Sequence, residues 1–128
     1  MRIPAFVRLI PASIVLLFPM IAHAAPTTSA GQISISQVIE MMQRSSTDTA
    51  ARNMLIAYLA GVGETTGLLM AEGKARGVVA MACSHSFSLS QDNAVAALMA
   101  AAPDEATWPQ TAATPLILAD LITRAGCH

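Results

Sequence analysis

The chain has 128 residues, 54 % of them apolar and 12 % charged, and a formal net charge of −1. That length holds one domain at most. The near-neutral charge, with no Lys/Arg cluster, excludes a nucleic-acid binder and a binder of anionic membrane surfaces. The chain has no G-x-S-x-G, no C-x-x-C, no C-x-x-C-H and no phosphate-binding loop, so no enzyme class is signalled and no cofactor is expected.

The first 24 residues read as a cleavable secretory signal. Arg2 and Arg8 supply the positive start, Leu9 to Ile21 is almost wholly apolar, and Ala22-His23-Ala24 places small residues where a signal peptidase needs them. The apolar run is about 13 residues, broken by Pro11 and Pro19, whereas a membrane anchor needs ~20. Cleavage is expected between Ala24 and Ala25. Ala25 is not a cysteine, so no lipid is expected there. The mature chain would carry five Lys and Arg against eight Asp and Glu, and no membrane association is expected of it. Its home would be the periplasm or the exterior. Two cysteines in an exported chain read as one disulfide, Cys83–Cys127.

Residues 25–34 lack an apolar period and read as a mobile tail, leaving 35–128 as a single helical domain. Ser36 can cap a first helix near 37–45, with Val38, Met41 and Met42 on its apolar stripe. A longer helix is expected from about Thr49 to Glu72. Its inward positions would be Leu55, Tyr58, Leu59, Val62, Thr66 and Leu69, with Gly73 as the stop. Gly61, Gly63 and Gly67 lie inside it, and Gly63 and Gly67 suggest a thin face for a close helix contact. Ser88-Leu89-Ser90-Gln91 is a capping-box pattern that opens a third helix, about 89–102. Val95, Leu98, Met99 and Ala102 would face inward and Pro103 would end it. A last helix, from Thr107 or Pro109 to about Ala125, either kinks at Pro115 or begins there. Ile33-Ser34-Ile35-Ser36 is the nearest thing to a strand and is too short to found a sheet. The fold class is therefore all-α, a compact bundle of four to five helices closed by one disulfide.

Several residues admit two readings. Cys83, His85, Cys127 and His128 include the ligand types of a zinc site, but adjacent Cys127 and His128 do not have metal-ligand spacing; no metal is expected. Trp108, next to Asp104 and Glu105 in the loop before the last helix, either plugs that loop onto the core or anchors a binding face. Glu64 is either a solvated face residue or a buried charge with a partner such as Arg124. The methionines at 41, 42, 54, 70, 81 and 99 read as core.

Tyr58-Leu59-Ala60-Gly61-Val62-Gly63-Glu64, then Cys83, Ser88-Leu89-Ser90-Gln91, Pro103-Asp104-Glu105 and an apolar helix ending in Cys127 follow one another over residues 53–127. This order resembles the Rap/Tai-type periplasmic immunity proteins, which protect bacteria from peptidoglycan amidase toxins delivered by type VI secretion. The resemblance implies family-motif roles for Tyr58, Gly61 and Glu64. It also implies a protein partner of the cell-wall amidase class, with a homodimer as a further expectation. The chain departs from that pattern by lacking a second Cys pair and by carrying Ser84-His85-Ser86 and Ala125-Gly126 where prolines are common. The partner-binding residues expected are Asp104, Glu105 and Trp108. The alternative of a different class is a stress or chaperone-like helical protein of the same compartment. A neighbouring amidase-type effector gene favours the first; apolar surface exposed at low pH favours the second.

Overall fold

The computed structural model describes residues 27–78 and 82–128; the signal segment, its cleavage point at Ala24-Ala25 and Met81 lie outside them. The order is α1 (Ile35–Arg44), α2 (Thr49–Ala75), α3 (Gln91–Ala101), a 3-10 helix (Glu105–Gln110) and α4 (Ala113–Arg124). The fold is all-α, and among the described residues the only β pairing is two isolated bridges.

The cap of α1 lies two residues before the expected one. Ser34, not Ser36, closes a capping box: its hydroxyl accepts from the Gln37 amide at 3.2 Å, and its own amide donates to Gln37 Oε1 at 3.0 Å. The S-x-x-Q pattern was present at Ser34-x-x-Gln37, and two orphan donors satisfied reciprocally outweigh one satisfied by Ser36. The pattern at Ser88 goes unused; α3 is capped by Ser90, which accepts from the Asn93 amide at 3.2 Å. Asp48 caps α2 by accepting from the amides of Ala50 and Ala51. A hydrogen bond from Arg44, with those two amides, holds the Asp48 carboxyl below its ordinary range.

The stretch 27–34 is docked rather than free. Thr28 is buried and its hydroxyl accepts from the Gln32 amide at 3.1 Å, while Ser29 donates to Gln110 Oε1. The Ile35 amide donates to Thr111 O at 3.0 Å and the Ala113 amide to Ile33 O at 2.9 Å, so this segment bridges to the start of α4.

Of the four α-helices, α2 and α4 stop at a left-handed glycine, and one of these stops differs from expectation. α2 runs through Gly73, which is buried inside it, and stops at Gly77 (φ 67°). The Val78 amide reaches back to Gly73 O and the Gly77 amide to Lys74 O, which is a Schellman closure. α4 ends in the same way at Gly126 (φ 63°), with the Cys127 amide on Ile122 O and the Gly126 amide on Thr123 O. α4 is unkinked in the expected sense: it begins at Ala113, so Pro115 falls in the first turn, where a missing N–H costs nothing. Pro109 lies in the 3-10 helix instead.

The turn at Gly126 delivers Cys127 to Cys83. Residues 82–85 and 125–128 run antiparallel, with reciprocal Ala82–His128 backbone bonds of 3.0 Å and the His85 amide on Ala125 O at 3.0 Å. The Cys83–Cys127 disulfide closes between them. A Cβ on Gly126 would meet Ser84 Cβ and Oγ at 3.3 Å in addition to the left-handed penalty. Gly126→Ala is therefore expected to cost about 1–2 kcal/mol; a shift of the urea midpoint measures it, and a neutral substitution would mean the turn relaxes freely.

The core is formed by Ile35 and Val38 of α1, Leu55 and Leu59 of α2, Ala94 and Leu98 of α3, and Ala113, Ile117 and Leu121 of α4. Alanines at the α3–α4 contact bring the two backbones close, and each fully buried Leu or Ile contributes about 1.5–3 kcal/mol. Tyr58 ties α2 to α4: its hydroxyl lies 3.0 Å from Thr114 Oγ1, and burial pushes its pKa up against that hydrogen bond. Three expected core positions are not buried. Leu69, Met54 and Met99 are exposed: Met54 points away from the face of α2 that carries buried Ala51 and Leu55, and Met99 faces the mouth of a groove.

Candidate functional site

The site is built by the chain break after α3. Pro103 ends that helix, and Asp104 then caps the 3-10 helix by accepting from the Ala106 amide at 3.0 Å, while the Thr107 hydroxyl donates to Asp104 O. This turn swings the indole of Trp108 back. Its Nε1–H donates to Ala102 O at 2.8 Å, one of the carbonyls left without a partner at the end of α3. Trp108 is thus half-buried with a structural hydrogen bond, and one edge of its ring remains accessible. The reading that it plugs the loop holds, and the ring also lines a surface.

That surface is a groove of about 320 Å³ between α1, α3 and the 3-10 helix. α1 contributes Ile39, Met42 and Gln43, which share a helix face. α3 contributes Val95 and Met99, one turn apart, and the 3-10 helix contributes Glu105 and Trp108. The walls are mainly apolar, and two are methionine side chains that can deform around an incoming group. The size suits one large apolar side chain, at the small end of ligand-binding clefts. Met99 is 45 % exposed at the mouth.

Glu105 is the one acidic lining residue and makes no ion pair among the described residues. Arg44, which follows Gln43 on α1, is already committed: it bonds both Glu40 at 3.3 Å and Asp48 at 2.7 Å, and the Asp48 bond above all raises its pKa. A visitor carrying an apolar group beside a positive charge therefore meets both an apolar wall and an uncompensated carboxylate.

Of the residues expected to bind a partner, Glu105 and Trp108 line the groove, and Asp104 is exposed beside it as the cap that orients them. Sequence reading missed the opposite wall, Ile39, Met42, Val95 and Met99. Met42, Val95 and Met99 carry the helical period and were assigned to the core, where Met42 does lie, while Ile39 was not singled out. The motif Tyr58, Gly61 and Glu64 is not brought together. Tyr58 faces α4, Gly61 is exposed with open space where a Cβ would stand, and Glu64 is a solvated face residue. Arg124 pairs instead with Asp120 and donates to Ser88 O. The close contact expected at Gly63 and Gly67 is half present. Gly63 lies against Leu89, at 3.8 Å from a built Cβ, but a Cβ on Gly67 would meet nothing within 4 Å among the described residues. Both sulfurs of the alternative zinc set are in the disulfide, and among the described residues no group of three or more His, Cys, Asp or Glu stands close enough to hold a metal.

The chain matches no family model, no curated protein and no solved structure.

Proposed function

We propose that the mature domain is a periplasmic binding protein of the immunity type, which docks its α1/α3/3-10 groove onto a peptidoglycan amidase toxin delivered by type VI secretion and blocks it. The observation that carries this reading is the groove itself: an apolar, methionine-walled cleft beside the carboxylate of Glu105, which makes no ion pair among the described residues. Its occupant is an apolar side chain of the toxin flanked by Lys or Arg. The disulfide fits an oxidising compartment, and a scaffold closed by it loses little ordering entropy on binding. The order of motifs that resembles Rap/Tai-type proteins supports the partner class.

A second reading, a stress or chaperone-like protein, is favoured by one other observation. Leu68, Leu69 and Ile56 on α2 are exposed apolar side chains of the kind that hold unfolded clients. A deletion strain separates the two. Under the immunity reading, cells lacking the gene are lysed by sibling or rival cells that deliver the amidase and survive when the effector's active site is inactivated. Equal survival of deletion and parent strains in that contact assay, together with acid sensitivity of the deletion strain, would transfer the function to the second reading.

A further inference from the structure

Two methionines line the groove, and of the two only one is open to solvent. Met42 of α1 is 8 % exposed and belongs to the core, whereas Met99 of α3 is 45 % exposed at the groove mouth. Among the described residues the other exposed methionine is Met54, at 54 %, on α2 and outside the groove lining. Free thiols would compete with them for an oxidant, but both cysteines of the chain are held in the Cys83–Cys127 disulfide. The thioethers are then the most readily oxidised groups, and exposure decides among them. Trp108, the chain's one tryptophan, lines the same groove and so reports on it optically.

We propose that Met99 is an oxidation site that governs the groove, taking one oxygen atom from hydrogen peroxide. The Met99 sulfur attacks one oxygen of the peroxide, and the O–O bond breaks as the S–O bond forms. The proton of the transferred oxygen passes to the departing hydroxide, which leaves as water. The sulfur is oxidised by two electrons to the sulfoxide and the peroxide is reduced by the same two. A sulfoxide turns a flexible apolar side chain into a polar one. Glu105, which also lines the groove, is an acceptor when ionised, and so is the sulfoxide oxygen, so neither can donate to the other. The new oxygen therefore holds water at the mouth. An apolar group that enters must displace that water without replacing its hydrogen bonds, which weakens docking. The fold is unchanged, because Met99 is not part of the core cluster. The effect on a toxin rests on the immunity reading; the chemistry at the sulfur and its effect on the groove do not.

The test treats mature protein carrying Met54→Leu, which removes the other exposed thioether, with graded hydrogen peroxide. Peptide mass analysis is expected to find one added oxygen on Met99 roughly tenfold faster than on Met42. At that dose the thermal midpoint is expected to stay unchanged and the Trp108 emission to move to longer wavelength. Adding Met99→Leu should abolish the emission shift. Inhibition of the amidase effector should weaken roughly tenfold on oxidation, and Met99→Leu protein should inhibit equally before and after peroxide. Oxidation of Met42 as fast as Met99, a thermal midpoint that falls with the first oxygen, or a Trp108 emission that does not shift would each overturn the proposal, with or without an effector. So would undiminished inhibition by protein oxidised at Met99. Unoxidised protein that fails to inhibit would remove the immunity reading alone, and the peptide and fluorescence results would still decide the site.

Discussion

Replacing both cysteines, Cys83→Ser with Cys127→Ser, is expected to lower the free energy of unfolding by about 4 kcal/mol. The bridge spans 44 residues of sequence and joins the segment before α3 to the end of α4. Most of the effect lies in the unfolded chain, which the bridge prevents from separating those ends. In the folded state the Ala82–His128 backbone bonds persist without the sulfurs. A domain of this size has ~5–15 kcal/mol in total, so the loss is a large share of it. The urea midpoint should fall steeply while helix content at zero denaturant stays near that of the wild type. Chemical reduction of the wild type should give the same midpoint as the double variant. A change below about 1 kcal/mol would mean that the unfolded chain is already compact around this loop.

The second large effect is on binding. Met99→Lys is expected to weaken the complex with the amidase by at least ~2 kcal/mol, roughly thirtyfold, as loss of a central anchor does. Met99 is 45 % exposed at the groove mouth, so lysine is accommodated there, and lysine is a good helix former. It would cover the apolar wall, draw off the Glu105 carboxylate and repel the cation expected on the partner. Trp108→Ala is a less clean probe. It removes groove wall too, but also orphans Ala102 O and uncovers core, so stability should fall with affinity. Measuring both variants separates docking from folding: Met99→Lys should lose affinity with an unchanged thermal midpoint, and Trp108→Ala should lose both.

The helices, their order and the disulfide were legible because each rests on a short-range rule: apolar period, a polar cap, glycine at a left-handed stop, and two cysteines in an exported chain. What escaped the sequence depends on length and on what lies opposite. Leu69 has the period of a buried residue but is 66 % exposed, although Thr66 and Gly73 on either side of it are buried. Gly73 looks like a stop, yet the helix continues because Gly77 can satisfy two carbonyls at once. Ser36 and Ser88 look like caps but lose to Ser34 and Ser90, whose register lets the hydroxyl meet an amide three residues on. At the site, Trp108 and Glu105 were found because an aromatic beside acids in a loop is conspicuous. The α1 and α3 walls were not, since period alone cannot separate a core stripe from the lining of a cleft that the core leaves open. Met42 and Met99 both line the cleft, yet Met42 is 8 % exposed and Met99 45 %.

The most direct measurement is the rate at which the purified amidase effector hydrolyses peptidoglycan as mature protein is added. Wild type is expected to abolish hydrolysis at a one-to-one ratio and folded Met99→Lys to leave it nearly unchanged at the same concentration. Undiminished hydrolysis with wild type at micromolar concentration, or equal inhibition by Met99→Lys, would contradict the groove as the toxin-blocking surface.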